Sequence, residues 1–335
     1  MPFRFVLFLS LALCLASVSN ANEALKRRQL LLISFDGAGD NALWQRSRDF
    51  AQKTNARFTY FLSCSLIVAK ADAVSYKGPG RKAGRSNIGF AQTREEARAR
   101  LEHVWQAHRE GHEIASHTCG HFDGADWSTA DWTTEMQSFR TLLAGAWKAN
   151  GAANEEPEGW REFVAEDIRG FRAPYLSVPE TLFAAERKEG FLYDASTVTK
   201  GPASPEEKAG VVRFGLPLIP EGPKNRPIIA MDYNLFIRHS AGVENPSRSA
   251  EFEERAYAAF RAAFDRQYNG ERIPLQIGLH FVKMNDGAYW RAMERLAGEV
   301  CGREDVACVT YLESMRELQP GSDDGPTGPT GPTGL

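Results

Sequence analysis

Hydrophobic positions along this chain fall into short continuous runs separated by amphipathic stretches. Leu30-Leu31-Leu32-Ile33-Ser34-Phe35 lacks polar alternation, the pattern of a strand covered on both faces. Residues 41–55 follow with Leu43, Ser47 and Phe50 spaced for one face of a helix, and residues 57–62 form an aromatic-rich second strand. Thr93-Arg94-Glu95-Glu96 has the form of a capping box. The helix it opens carries Ala97, Leu101, Val104 and Trp105 on one face and stops at Gly111. Residues 112–117 predict a third strand, 129–149 a helix, 169–172 a strand and 179–188 a helix. Residues 191–194, 227–232 and 274–280 read as further strands, 250–265 and 288–299 as helices, and 307–311 as the closing strand. The Gly/Lys-rich stretch 76–87 reads as a long loop and the acidic stretch 150–166 as an insertion. Repeated strand–helix alternation predicts an α/β fold with a parallel sheet closed into a barrel.

The ends differ from the middle. Arg4 precedes an apolar run over residues 5–16, and Ser17-Val18-Ser19-Asn20-Ala21 supplies small residues for cleavage. Residues 1–21 therefore predict a removable export signal, and the run is shorter than the ~20 residues a bilayer requires. No later run is apolar enough to span a membrane, so the expectation is an exported protein, periplasmic or extracellular. Residues 22–319 form one domain, and Gly-Pro-Thr repeats in 320–335 predict a flexible tail. Lys+Arg 40 against Asp+Glu 43, with 43% hydrophobic and 25% charged residues, excludes a disordered regulator and a coat for nucleic acid. Nothing in the pattern specifies an oligomeric state. Beyond Cys14 in the signal, four cysteines remain, and an even set in an oxidising compartment favours disulfides. Cys64–Cys119 and Cys301–Cys308 are the expected pairs.

Polar residues mark the predicted strand ends: Asp36, His117, Arg172, Asp232 and His280. In a parallel barrel the strand C-termini surround one site, so these side chains can converge. His117 and His121, four apart with Gly120 between them, suit a divalent metal with open positions, unless they are simply loop histidines. Cys119 could add a thiolate, although a disulfide fits an exported protein better. Asp232 could orient His280. His112 starts a strand far from His117's end and reads as structural. His103 and His108 read as positions on a solvated helix, His239 as part of a loop and Asp194 as a loop cap. Trp127 and Trp132 fit helix packing better than sugar stacking.

Taken in order, Leu32-Ile33-Ser34-Phe35-Asp36-Gly37, His117-Thr118-Cys119-Gly120-His121, Arg172-Ala173-Pro174-Tyr175 and Ile277-Gly278-Leu279-His280 resemble the motifs of the polysaccharide deacetylases. These are carbohydrate esterases sharing the NodB homology domain. The resemblance covers nearly the whole chain after the signal. It implies a distorted (β/α) barrel of fewer than eight parallel strands, a divalent metal, most often Zn²⁺, and removal of N-acetyl groups from an N-acetylated glycan. His117 and His121 become metal ligands and His280 the acid that protonates the leaving amine. Tyr175 turns its backbone N–H toward the oxyanion, and Arg172 holds the catalytic carboxylate. The first motif departs from the family's adjacent aspartates, because Gly37 follows Asp36. Asp36 is then either the base or a metal ligand. Asp40 is either a second carboxylate or the N-cap of the following helix. The departure also leaves open a carbohydrate-binding protein that keeps the barrel without turnover. Substrate choice is expected to lie in loops 76–92 and 150–168.

Overall fold

The computed structural model describes residues 28–318, so the predicted export signal and the Gly-Pro-Thr tail lie outside the described residues. Among the described residues ten strands occur in chain order: β1 (Gln29–Gly37), β2 (Thr59–Leu62), β3 (Glu113–Ser116), β4 (Gly170–Phe171), β5 (Tyr193–Thr199), β6 (Glu206–Lys208), β7 (Val211–Glu221), β8 (Arg226–Ile229), β9 (Leu275–His280) and β10 (Val306–Cys308). The main helices are α1 (Asn41–Thr54), α2 (Arg94–Arg109), α3 (Thr129–Ala144), α4 (Glu180–Lys188), α5 (Asp232–Ser240), α6 (Ser249–Tyr268), α7 (Met284–Val300) and α8 (Tyr311–Glu317).

The wall runs β9-β1-β2-β3-β4-β5-β7, each neighbour parallel. β6 and β8 add antiparallel to β7, and β10 lies beside the first residues of β1. The ladder is interrupted between β7 and β9, where a bridge joins Met231 to Gly278 and the Gln276 amide donates to the Gly215 carbonyl (3.0 Å). The barrel is distorted, as expected, but the sheet is open rather than closed as the strand–helix alternation predicted.

Strand parity decides what faces inward. Leu31, Ile33 and Phe35 of β1 pack outward in the large cluster shared with the helices. Leu30 and Leu32 join Phe61, Ala115, Tyr193, Phe214 and Tyr311 in a separate inner cluster. Continuing that inward series brings Ser34 and then Asp36 to the mouth of the barrel, at the strand's C-terminal end. Both disulfides form as expected, Cys64–Cys119 and Cys301–Cys308. Among the described residues no helix is long and apolar enough to cross a membrane.

Several expectations need correction. The chain from Val211 to Glu221 is an eleven-residue strand, yet Pro217 and Pro220 disguise it. Proline removes a ladder donor, and these two sit toward the end where β7 leaves β5 and turns with β8. Residues 227–232 do not form one strand either: β8 stops at Ile229, and Asp232 opens α5. Tyr311 likewise opens α8, capped by Thr310, rather than closing a strand. The predicted helix 129–149 breaks at Gly145. The stretch 150–166 is no loose insertion, since Trp160, Phe163 and Val164 are buried in the main core.

Candidate active site at the barrel mouth

β1 delivers Asp36, the turn after β3 delivers His117 and His121, the turn after β4 delivers Arg172 and Tyr175, and β9 delivers His280. Arg172 is fully buried and organises the floor. Its Nη1 donates to Asp36 Oδ1 (2.7 Å) and Ser34 Oγ (2.9 Å), its Nε to the Ala195 carbonyl (3.0 Å), and its Nη2 to Tyr311 Oη (2.9 Å). The guanidinium also lies 4.1 Å from the centre of the Phe61 ring. Burial pushes the Asp36 carboxyl up, but Arg172, His117 and His280 together outweigh it, and the pKa ends below its ordinary value.

His117 is buried, with Nδ1 2.8 Å from the Arg172 carbonyl. Since that oxygen only accepts, Nδ1 carries the hydrogen and Nε2 keeps a free lone pair. Nε2 is buried with no partner, and so is Nδ1 of His121. The two rings lie edge to face with centroids 5.0 Å apart. Burial pushes His117 down to about 3, and it lowers His121 as well, so both are neutral imidazoles at physiological pH. A neutral imidazole, oriented by a backbone carbonyl through its other nitrogen, is the donor a divalent metal requires. The donors present therefore fit a metal at two coordination positions. Among the described residues no three His, Cys, Asp or Glu side chains come together closely enough to enclose one. Cys119 is committed to its disulfide and adds no thiolate.

Beside Asp36, at the end of the neighbouring strand β9, His280 Nδ1 lies 2.7 Å from Asp232 Oδ1, and Asp232 Oδ2 accepts the His280 backbone N–H (2.8 Å). Burial lowers the imidazole pKa, but Asp232 and Asp36 reverse that and raise it above the ordinary histidine value. The His280 side chain remains 26% exposed, open to a ligand. Tyr175 has φ 58° and presents a 59% exposed side chain, its ring 5.1 Å from that of His121. Asn87, from loop 76–92, donates to both the His121 carbonyl (3.0 Å) and Tyr175 Oη (3.3 Å), so that loop borders the site.

Asp40 does not join this group. It is the exposed N-cap of α1, its Oδ1 accepting from the Leu43 N–H (2.9 Å). Asp194 is not a loop cap; it is buried in β5 and accepts from Ser196 beside Arg213 and Glu186. His239 is not in a loop but on α5, buried against Glu221 (3.2 Å). His103 is half-buried, stacked on Trp44 and 3.1 Å from Arg48, so that face of α2 is not simply solvated. His112 is structural as expected, accepting from the Phe58 N–H (3.0 Å), and Trp132 is wholly buried in packing. Ser34 and Tyr311, which complete the Arg172 cradle, escaped the sequence reading. Strand parity was the available signal for Ser34; none pointed to Tyr311, 139 residues from Arg172.

No protein-family model matches the chain. It is 28% identical over 243 residues to chitin deacetylase 1 of Bombyx mori, an alignment covering 64% of this chain and 42% of that protein. The chain thus spans less than half of that relative's length. A crystal structure described as a polysaccharide deacetylase from Mycobacterium smegmatis superposes with TM-score 0.53 at 15% identity, covering 90% of this chain and 95% of the other. The Xyl-CE4 domain of a multidomain xylanase from the hindgut metagenome of Trinervitermes trinervoides superposes more loosely, with TM-score 0.44 at 13% identity over 88% and 94% of the two chains. In sequence this chain is similar to a chitin deacetylase, and it shares the fold, a NodB-like barrel, of a polysaccharide deacetylase.

Proposed function

We propose that this protein is an exported, metal-dependent hydrolase that removes N-acetyl groups from an N-acetylated polysaccharide or oligosaccharide. The observation that carries the reading is the pairing, side by side at the ends of neighbouring strands β1 and β9, of a carboxylate held ionised by Arg172 and an imidazole whose pKa Asp232 raises. Hydrolysing an amide needs both: one group to take a proton from water and another to give one to nitrogen. Asp36, bonded to Arg172, is the base. His280 delivers its proton to the amide nitrogen as the carbon–nitrogen bond breaks, leaving acetate and a free amine. Asp232 orients that imidazole, and the turn at Tyr175 directs its backbone N–H toward the developing oxyanion. His117 and His121 would hold the divalent ion, Zn²⁺ being one of the first-row ions that imidazole suits. When bound, such an ion polarises the acetyl carbonyl and acidifies water. The disulfides support export, and the exposed mouth bordered by loop 76–92 suits a glycan chain.

Acetate release from chitin oligomers, peptidoglycan strands and exopolysaccharide, with metal added and removed, tests the proposal. Turnover that a chelator abolishes and metal restores is the expected result. His117→Ala or His121→Ala should strip metal and activity from a folded chain, and full zinc occupancy in both variants would sink the ligand assignment. The second reading, a glycan-binding protein without turnover, is favoured by the missing third metal ligand at Gly37. It predicts glycan affinity with no acetate from any substrate.

A further inference from the structure

The turn carrying the two histidines is held in an unfavourable shape: Thr118 has φ 61° and His121 φ 52°, left-handed conformations that cost a β-branched or bulky residue most. Something must over-determine that backbone. Glu135, in the middle of α3, is fully buried, and its Oε1 accepts the N–H of Cys119 (2.9 Å) and of Gly120 (3.1 Å). Tyr76, at the foot of loop 76–92, donates its hydroxyl to the same carboxylate (2.8 and 2.9 Å). The fit leaves no slack, since a Cβ at Gly120 would lie 2.5 Å from Tyr76 Oη. These three donors make the hydrogen bonds that the carboxylate accepts.

We propose that Glu135 is a positioning residue: its buried carboxylate, seated between Tyr76 and the Cys119 and Gly120 amides, fixes the turn that sets His117 and His121 side by side. The metal role of those histidines rests on the proposed function; the clamp itself does not.

Three single variants of the full chain, Glu135→Leu, Glu135→Gln and Tyr76→Phe, test this. The readouts are amide exchange at Cys119 and Gly120, the nitrogen resonances of the two imidazoles in metal-free protein, and kcat and KM for acetate release. Glu135→Leu removes the acceptor, so exchange at both amides should quicken by more than about tenfold while β1 and β9 stay protected. The imidazole resonances should move, and kcat should fall by more than about tenfold with KM nearly unchanged. Glu135→Gln keeps an oxygen where Oε1 sits and should restore all three readouts. Tyr76→Phe removes one donor and should quicken exchange about fivefold, which keeps the test decisive if the leucine variant does not fold. Unchanged exchange in both Glu135→Leu and Tyr76→Phe would overturn the clamp, as would a glutamine variant as impaired as the leucine one. If the native chain releases no acetate, the proposed function fails, while exchange and imidazole resonances still decide the clamp.

Discussion

Asp36 keeps its charge inside the barrel because Arg172 donates to it at 2.7 Å and His280, whose pKa is raised, adds to the local positive potential. Asp36→Asn preserves size and removes the proton acceptor, so kcat for acetate release should fall by more than ~10²-fold, the scale of losing a general base. Asp40→Asn makes the contrast. Asparagine caps a helix as well as aspartate does, and activity and melting temperature should both stay near native. A loss in Asp40→Asn comparable to that in Asp36→Asn would contradict the reading of Asp40 as a helix cap alone. In the proposed mechanism His280 carries the pH dependence. Its pKa is raised above the ordinary value by Asp232, so the acid form persists further into alkaline pH. Asp232→Asn leaves burial unopposed by that charge, and the alkaline limb of the pH–rate profile should shift to lower pH. A limb that stays in place would show that His280 is not the group being read. Most of this was legible in single residues, because Asp36, Arg172 and His280 stand at the ends of apolar strand runs. The Asp40 alternative was not resolvable there, since a carboxylate at a helix start looks the same whether it caps or ligates.

Elements add constraints that no single residue reveals. β4 is only two residues long, and Gly170 within it faces inward where the Tyr193 ring crosses the barrel; a Cβ there would overlap the tyrosine hydroxyl. That hydroxyl cannot simply turn away, because it donates to the buried carboxylate of Glu113 (2.7 Å). Gly170→Ala should therefore destabilise the fold by about 1–3 kcal/mol, readable as a lower urea midpoint at constant slope. Because Arg172 follows two residues later, activity should fall with it. An alanine variant of native stability would mean that Tyr193 has room to move. The same element logic explains what periodicity missed. β7 carries two prolines and so resembles a loop, but pairing with β5 on one edge and β8 on the other makes it a strand. Glu135 was overlooked for the opposite reason. A lone charge on the helix face of Trp132, Met136 and Phe139 looks like an exception to a core stripe, and its partners lie in segments far from it in sequence.

At the scale of the whole molecule, burial of neutral histidines ties stability to pH. His112 and His239 are both pushed down to about 4, mainly by burial, against an unfolded value near 6.5. The folded chain then binds fewer protons than the unfolded one. Their contribution is complete above about pH 6.5 and drains away as pH falls toward 4. At pH 5 each should cost about 2 kcal/mol relative to pH 8, visible as a falling urea midpoint. His112→Gln should flatten part of that slope, and an unaltered slope would place the acid sensitivity elsewhere.

Local spacing and side-chain chemistry account for the alternation of buried strands and amphipathic helices, the even set of cysteines and the kinds of group gathered near the strand ends, whereas Cys64 meets Cys119, 55 residues away, only through the fold. Tertiary structure alone decided which oxygens and nitrogens meet. Asp36 is tied to Arg172, Asp232 to His280 and Glu135 to the histidine turn through contacts between segments from different parts of the chain. Such pairings are set by strand order and inward parity around the barrel, which a linear pattern of hydrophobic and polar positions does not encode.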